Sequence, residues 1–244
     1  MPEYQASQTA DIKSVFDAHD AELQLVEEQI KEMFRSDVFF IPLIGKHIQE
    51  SGGKRLRPLF LLSSARLAGN TGADHIPLAA IIESIHTASL LHDDVVDGAE
   101  LRRGRPTAHS VWGNQVVILV GDFLYSNALR RAVSFKNQRI MEALSHATTT
   151  MTEGEIFQLQ KSGDIGLKEE EYLKIISSKT GILISAACRI AAILGGCDAP
   201  KENALAAFGL KAGIAFQMAD DILDYMADES TLGKKLARTS TKGR

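Results

Sequence analysis

Apolar residues recur at three- and four-residue intervals along most of the chain, which predicts amphipathic helices. Runs that alternate apolar and polar residues, as strands do, are too short to support a sheet. No proline lies between Pro106 and Pro200, and long uninterrupted helices require this. The predicted helices cover residues 11–35, 39–50, 54–69, 77–97, 107–134, 137–161, 169–195 and 201–227, with a polar loop at 98–106. The predicted fold class is therefore all-α.

The composition excludes several classes of protein. With 45% hydrophobic and 24% charged residues, the 244-residue chain is neither disordered nor collagen-like. Its length suits a single domain, residues 1–244, with a large core. A net charge of −4 gives no reason to expect nucleic-acid binding. Cys188 and Cys197 have no metal-ligand spacing, so we interpret them as core residues.

The chain carries no obvious targeting or membrane signal. Its first residues lack the charged-then-apolar pattern of a signal peptide. The most apolar window, residues 181–196, contains Arg189 and is shorter than a bilayer-spanning helix. We therefore expect a cytoplasmic protein without stable membrane insertion.

Two copies of the pattern DDxxD end apolar helical segments, at residues 93–97 and 220–224. In a helix, Asp93 and Asp97 lie one turn apart on one face, with Asp94 beside them. Crowded carboxylates repel one another and oppose the dipole at a helix C-terminus, which disfavours a purely structural role. A solvated helix end is the alternative for either motif alone. Together the motifs favour a hard cation, Mg²⁺ over Zn²⁺, because the ligands are carboxylate oxygens.

Two basic segments supply groups that bind phosphate. Lys54, Arg55 and Arg57 follow a Gly-Gly pair, residues 52–53, at a predicted helix start that favours an anion. An arginine-rich segment, residues 102–105, comes directly after the first aspartate motif. Solvated surface is the alternative for each segment alone. Beside the aspartates they predict a diphosphate held through magnesium, a second metal-free anion, and an apolar pocket for a tail.

In their order along the chain these motifs resemble the trans-polyprenyl diphosphate synthase family, in its long-chain, octaprenyl-type branch. The resemblance spans about residues 50–235 and rests on GGKRLRP at 52–58, ESIHTASLLHDDVVD at 83–97, RRG at 102–104, GDFL at 121–124, EGE at 153–155, KT at 179–180, FQ at 216–217 and DDILD at 220–224. It implies a single-domain bundle of long helices around a central apolar cavity. It also implies a homodimer.

The resemblance implies a reaction and a role for each site residue. Isopentenyl diphosphate attacks the cation left when an allylic diphosphate ionises, and a proton then leaves to the released diphosphate. Mg²⁺ on Asp93, Asp97 and Asp220, supported by Asp94, Asp221 and Asp224, would hold the allylic diphosphate. The departing diphosphate would be neutralised by Arg102, Lys179 and Lys234. Isopentenyl diphosphate would be bound by Lys54, Arg57, His86 and Arg103. The polar groups near the reacting carbons would be Thr180 and Gln217. Without the resemblance we would interpret His86 as structural, as we do His92 and His109.

Product length is predicted from two small residues. Ser89 and Ala88 lie four and five positions before Asp93, one turn below the predicted metal, where a growing tail must pass. Members of the family that stop at short products usually carry a bulky aromatic residue there. We therefore predict a long-chain product of the kind used for quinone side chains.

The C-terminal end departs from the family pattern. Residues 237–244 stand where the family has an acidic residue and a Thr-Leu-Pro turn. We therefore expect the family's last helices to be missing. The alternatives are a truncated form, an altered form, or a sequence that is part of a longer chain. The alternatives for function are a short-chain farnesyl or geranylgeranyl diphosphate synthase, a terpene cyclase and a non-catalytic partner subunit. A cyclase has no use for the isopentenyl diphosphate clamp. A partner subunit would be expected to show degraded aspartate motifs, and both motifs are intact.

Overall fold

The computed structural model describes residues 11–232, apart from the side chains of Tyr225 and residues 227–232. The helices are α1 (Ile12–Ala18), α2 (Asp20–Met33), α3 (Phe40–Glu50), α4 (Leu56–Leu67), α5 (His75–Val96), α6 (Ala108–Trp112), α7 (Asn114–Val133), α8 (Gln138–Lys161), α9 (Glu169–Ile176), α10 (Ile182–Leu194) and α11 (Ala199–Leu232). The predicted all-α fold is confirmed.

Helix α5 is the centre of the bundle. It packs against α2, α4 and α7, while α10 packs against α4, α8 and α11. Leu78, Ile81, Ile82 and Ile85 are fully buried, so α5 is apolar almost all round, as expected of a central helix. The polar end of α5, from Asp93 onward, emerges from this core.

Two predicted helices are interrupted. The helix predicted at 11–35 breaks at His19, whose buried ring bonds Glu22 (2.7 Å) and Ser63 on α4 (3.0 Å). The helix predicted at 107–134 breaks at Gly113, which takes a positive φ of 84° that suits glycine. Both breaks reflect backbone or tertiary demands that hydrophobic periodicity does not carry.

The helix predicted at 169–195 contains a π-helical turn, Ser177–Gly181, between α9 and α10. Such turns are frequent at functional sites. Two glycines let neighbouring helices approach it: a Cβ on Gly154 of α8 would overlap Ser178, and one on Gly213 of α11 would lie 2.6 Å from the Cα of Gly181. The turn therefore lies tightly between α8 and α11.

The loop predicted at 98–106 contains a small hairpin, β1 (Leu101–Arg102) paired antiparallel with β2 (Arg105–Pro106). Arg103 and Gly104 at its tip both have positive φ, as a two-residue hairpin turn requires. Strands of two residues leave no alternating pattern in the sequence, so this hairpin was not predicted.

Among the described residues, one helical run, Glu169–Leu194, is long and apolar enough to cross a membrane. The protein itself buries 67% of its most apolar window. A buried core helix passes the same test, so the run is only a weak indication of a span. Cys188 lies in this run and is buried and unpaired, as predicted for a core residue.

Candidate active site

The first aspartate motif lies at the C-terminal end of α5. Asp93 is mostly buried, Asp94 is buried and Asp97 is exposed, with the Asp97 amide donating to the Asp93 carbonyl at 2.8 Å. Asp94 pairs with the hairpin: its Oδ1 accepts from Nε of Arg102 at 2.8 Å and lies 2.8 Å from Nη2 of the same residue. Asp94 therefore anchors the hairpin to α5, which fits a supporting role.

Lys179 of the π turn reaches the same motif from across the site. Its Nζ lies 2.8 Å from Oε1 of Glu155 on α8 and 3.7 Å from Oδ2 of Asp93. Burial opposes the charge of Lys179, but the hydrogen bond that Lys179 donates to Glu155 and the charge of Asp93 outweigh this effect and raise the pKa of Lys179. Burial raises the pKa of Asp93 to about 6; Lys179 opposes this rise, and the carboxylates of Glu155 and Asp97 add to it.

The second aspartate motif is ordered by a chain of hydrogen bonds. Thr180 Oγ1 donates to Gln217 Oε1, and Gln217 Nε2 donates to Asp221 Oδ1, both at 2.8 Å. Tyr172 of α9 donates to Asp221 Oδ2 at 2.6 Å, and burial together with this carboxylate raises the pKa of Tyr172 to about 12. Asp220 and Asp224 are exposed on α11. Asp221 is thus held in place, as a supporting residue would be.

The predicted clamp for the metal-free diphosphate also comes together. Lys54, Arg57, His86 and Arg103 all line one cavity, and Arg103 donates to the carbonyl of Gly52. Burial lowers the pKa of His86 well below its usual value, and the charges of Arg57 and its neighbouring arginines lower it further. His86 is therefore neutral at pH 7 and offers one donor and one acceptor.

Arg55, between Lys54 and Arg57 in sequence, has a different environment. Its φ of 49° is left-handed, and its guanidinium bonds carboxylates on two other helices: Glu27 of α2 and Glu83 of α5. Those two carboxylates were not assigned from the sequence, because each lies 28 residues from Arg55 and in no recognisable motif.

A cavity of about 640 Å³ joins these groups. The predicted site residues in its wall are Lys54, Arg57, His86, Ser89, Asp93, Asp97, Arg102, Arg103, Lys179, Thr180, Gln217 and Asp220. Four predicted residues are not in that wall, namely Asp94, Asp221, Asp224 and Ala88, and Ala88 is instead buried in the apolar core. Lys234 lies outside the described residues.

The carboxylates of the cavity wall determine which kind of metal ion the site could hold. Within residues 11–232, no three His, Cys, Asp or Glu side chains are gathered closely enough to hold an ion by themselves. Asp93, Asp97 and Asp220 nevertheless line the same cavity and offer only carboxylate oxygens. Magnesium usually retains waters and takes one or two carboxylates plus substrate phosphates, so this set fits a cation that binds together with a diphosphate.

Several residues of the site had no role predicted. Glu155 belongs to the EGE motif at residues 153–155, but its contact with Lys179 does not follow from the sequence. His92, interpreted as structural, lines the cavity while its Nε2 lies 3.1 Å from the Ile118 carbonyl and its ring packs on Gly121 of α7. Tyr125, Thr148, Met151, Thr152 and Leu159 also line the cavity.

Comparisons with known proteins agree on one family. A sequence model of the polyprenyl synthetase family matches residues 41–243. Octaprenyl diphosphate synthase of Escherichia coli (strain K12) is 42% identical over 219 residues, which are 90% of this chain and 68% of that protein. All-trans-nonaprenyl-diphosphate synthase (geranyl-diphosphate specific) of Rhodobacter capsulatus is 43% identical over 90% of this chain and 67% of its own.

Solved structures give the same picture. The crystal structure of polyprenyl synthase from Caulobacter crescentus CB15, complexed with calcium and isoprenyl diphosphate, superimposes with a TM-score of 0.86. The two sequences are 42% identical, and the match covers 90% of this chain and 67% of that one.

Proposed function

The chain belongs to the polyprenyl synthetase family, and we propose that its cavity condenses isopentenyl diphosphate with an allylic diphosphate to build a long polyprenyl chain. The observation that carries this proposal is a cavity of about 640 Å³ whose wall holds residues of both aspartate motifs and both basic segments. The related octaprenyl and nonaprenyl diphosphate synthases support a long-chain product. A diphosphate head and an isoprenoid tail match the polar and apolar parts of this wall.

The metal-bound substrate is assigned to the aspartate end of the cavity. We propose Mg²⁺ as the ion, held by Asp93, Asp97 and Asp220, because all three line the cavity and offer hard oxygen ligands. When bound, the ion neutralises charge on the allylic diphosphate and so assists its departure. The calcium and isoprenyl diphosphate bound to the related Caulobacter crescentus enzyme support a divalent cation beside a diphosphate.

The chain's own cations assist the ionisation step. Lys179 lies 3.7 Å from Asp93, and this distance supports a role for its ammonium in neutralising charge on the departing diphosphate. Arg102 is fixed by Asp94 at the same end. Thr180 and Gln217 present polar oxygens beside the reacting carbons, and their mutual hydrogen bond of 2.8 Å holds both in position.

The second substrate is assigned to the cluster of Lys54, Arg57, His86 and Arg103. These groups are cationic or neutral, so they bind a diphosphate without a metal. The double bond of isopentenyl diphosphate then attacks the allylic cation, and a proton passes to the released diphosphate. This step forms one carbon–carbon bond and restores a double bond.

The tail end of the cavity is suited to a growing hydrocarbon. Thr87, Ser89, Thr148 and Thr152 line it, yet each hydroxyl donates to a carbonyl of its own helix at 2.8–3.1 Å. Because each of these hydroxyl donors already has an acceptor, an apolar tail can lie against them without leaving a buried donor unpaired. Small Ser89 leaves this path open below Asp93, which favours the long-chain product over the short-chain alternative.

The test is incubation of the purified protein with farnesyl diphosphate, radiolabelled isopentenyl diphosphate and Mg²⁺. We expect labelled polyprenyl diphosphates longer than geranylgeranyl. Asp93→Ala is expected to abolish elongation, whereas Asp164→Ala, an exposed aspartate of the α8–α9 loop, is expected to retain it. Absence of elongation by the wild type would overturn the proposal, and retained turnover in Asp93→Ala would overturn the metal assignment.

We also propose that the protein acts as a homodimer in the cytoplasm. Ile118, Leu119 and Val133 are exposed on α7, and exposed apolar side chains of this kind support a subunit interface. We expect light scattering to give twice the chain mass and Leu119→Asp to give the monomer. A monomeric wild type would contradict the dimer, and recovery of activity in the membrane fraction would contradict the location.

A further inference from the structure

We infer that Glu83 is a positioning residue, whose buried carboxylate holds Arg55 and Arg57 in the geometry that receives the metal-free diphosphate. The identity of that ligand, isopentenyl diphosphate, rests on the proposed function. The geometry of the cluster does not depend on it.

Glu83 is a buried carboxylate with cationic neighbours. It lies on α5 with 5% of its surface exposed, and its Oε1 accepts from Nη1 of Arg55 at 3.3 Å. Its Oε2 is buried without a hydrogen-bond partner among the described residues. A buried carboxylate is costly unless it is paired, and the pairs available here are the two arginines of the GGKRLRP segment.

Arg55 is fixed by carboxylates on two sides. Its Nε and Nη2 face Glu27 of α2, and its Nη1 faces Glu83. The guanidinium lies under the Gly-Gly turn, so close that a Cβ on Gly53 would overlap Nη1. Arg55 therefore anchors the start of α4, and the neighbouring Arg57 is placed by the same anchor.

Arg57 depends on Glu83 through charge. Its Nε is buried without a hydrogen-bond partner in the part of the chain that the structure describes, and burial lowers its pKa while Glu83 opposes that effect. Arg102 and Arg103 add further positive charge around His86. Four guanidiniums crowded around one ring repel one another. Buried Asp94 is the partner of Arg102, and buried Glu83 is the anion beside Arg55 and Arg57. Glu27, the other partner of Arg55, is about one-third exposed and more screened by solvent.

Removing the charge of Glu83 has two possible effects on the KM for isopentenyl diphosphate, and they have opposite signs. If Glu83 only contributed to the electrostatic field, its neutralisation would make the cavity more positive and lower the KM for isopentenyl diphosphate. If Glu83 positions the arginines, neutralisation lets them move apart and raises that KM. A Glu83→Gln variant distinguishes the two, since the glutamine amide keeps the shape but removes the charge.

We expect Glu83→Gln to raise the KM for isopentenyl diphosphate by about 10- to 100-fold, as misplacement of a supporting group commonly does. The KM for the allylic substrate and kcat at saturation are expected to change by less than about threefold, because the interaction removed concerns binding of one substrate. Glu83→Asp, which keeps the charge, is expected to recover part of the loss.

Glu202→Gln is the matched control. Glu202 is also a buried carboxylate between two arginines, Arg139 of α8 and Arg189 of α10, but it lies outside the cavity. A general loss of packing would affect both variants alike in thermal unfolding. Only Glu83→Gln is expected to change the KM for isopentenyl diphosphate.

An unchanged or lower KM for isopentenyl diphosphate, or equal rises in both KM values, would overturn the inference. If Glu83→Gln does not fold, Glu27→Gln serves instead: we expect a smaller rise in the same KM, and no rise would overturn the inference.

Titration of inorganic diphosphate in the presence of EDTA separates this inference from the proposed function. Weaker binding by the variant supports the positioning role even if the wild type transfers no prenyl group, whereas equal binding overturns it.

Discussion

The close approach of α11 to the π turn leads to a quantitative prediction. A Cβ on Gly213 would lie 2.6 Å from the Cα of Gly181, whereas ordinary contacts begin at 3.4 Å. The Gly213→Ala variant therefore requires α11 to move away by about 1 Å, since close-packed interiors do not absorb such overlap. One turn further along α11, Gln217 accepts from Thr180 at 2.8 Å. The same displacement would lengthen this hydrogen bond beyond its usual range.

We expect kcat of Gly213→Ala to fall about 100-fold, the cost of a misplacement of about 1 Å in an active site. The free energy of unfolding should fall by about 1–3 kcal/mol from overpacking. The better helix propensity of alanine offsets about 1 kcal/mol of that loss. The measurement is prenyl transfer with both substrates saturating, together with thermal unfolding followed by circular dichroism.

Gly195→Ala provides the control. A Cβ there would overlap the carbonyl oxygen of Ala68 at the far end of α10, outside the cavity. We expect a comparable loss of stability with kcat within about twofold of wild type, because no site residue moves. Wild-type kcat in folded Gly213→Ala, or an equal fall in kcat for Gly195→Ala, would refute this account of the π turn.

Two further predictions concern the aspartate motif and the tail. Burial raises the pKa of Asp93 to about 6, so in the metal-free protein the folded state binds this proton more tightly than the unfolded chain, and stability through this group falls as pH rises from about 4 to about 6. Asp93→Asn should flatten that slope in thermal unfolding with EDTA, and an unchanged slope would contradict the assignment. Ser89→Phe should shorten the products seen by chromatography, because Ser89 lines the cavity. Ala88 is buried in the core and not in the cavity wall, so Ala88→Phe should shorten the products less than Ser89→Phe and should cost about 1–3 kcal/mol of stability. Unchanged product length in Ser89→Phe would exclude this route for the tail.

The sequence could locate the groups that face the cavity, because their spacing is local. Asp93 and Asp97 are one helical turn apart, and Lys54 and Arg57 follow a glycine pair within one short segment. Neither their placement in one wall nor the π turn that carries Lys179 follows from such spacing. The π turn lies in a proline-free run of residues that also suit an α-helix, so a continuous helix was predicted across it.

The residues that could not be predicted share a physical role. Glu83 holds Arg55, and Tyr172 holds Asp221, each from another helix. Glu155 likewise holds Lys179 from α8, and Asp94, which the motif did reveal, holds Arg102 on the hairpin. Each is an opposite charge or a hydrogen-bond donor placed beside a group assigned to the site, which fixes the direction of that group before substrate arrives.

Pairing each charged group with a partner on another element lowers the free-energy cost of crowding charges in the cavity. A lone aspartate or arginine at the edge of the core would swing toward water, because solvation favours exposure of the charge. Asp94 prevents this for Arg102 with two contacts of 2.8 Å, and Glu155 does so for Lys179 with one. Since a fixed dipole or charge need not reorganise when negative charge develops on a leaving diphosphate, such fixing contributes directly to lowering the barrier. Glu83 and Glu155 both line the cavity beside the cations that they hold, so we expect substitutions at either residue to change the kinetics of the proposed reaction.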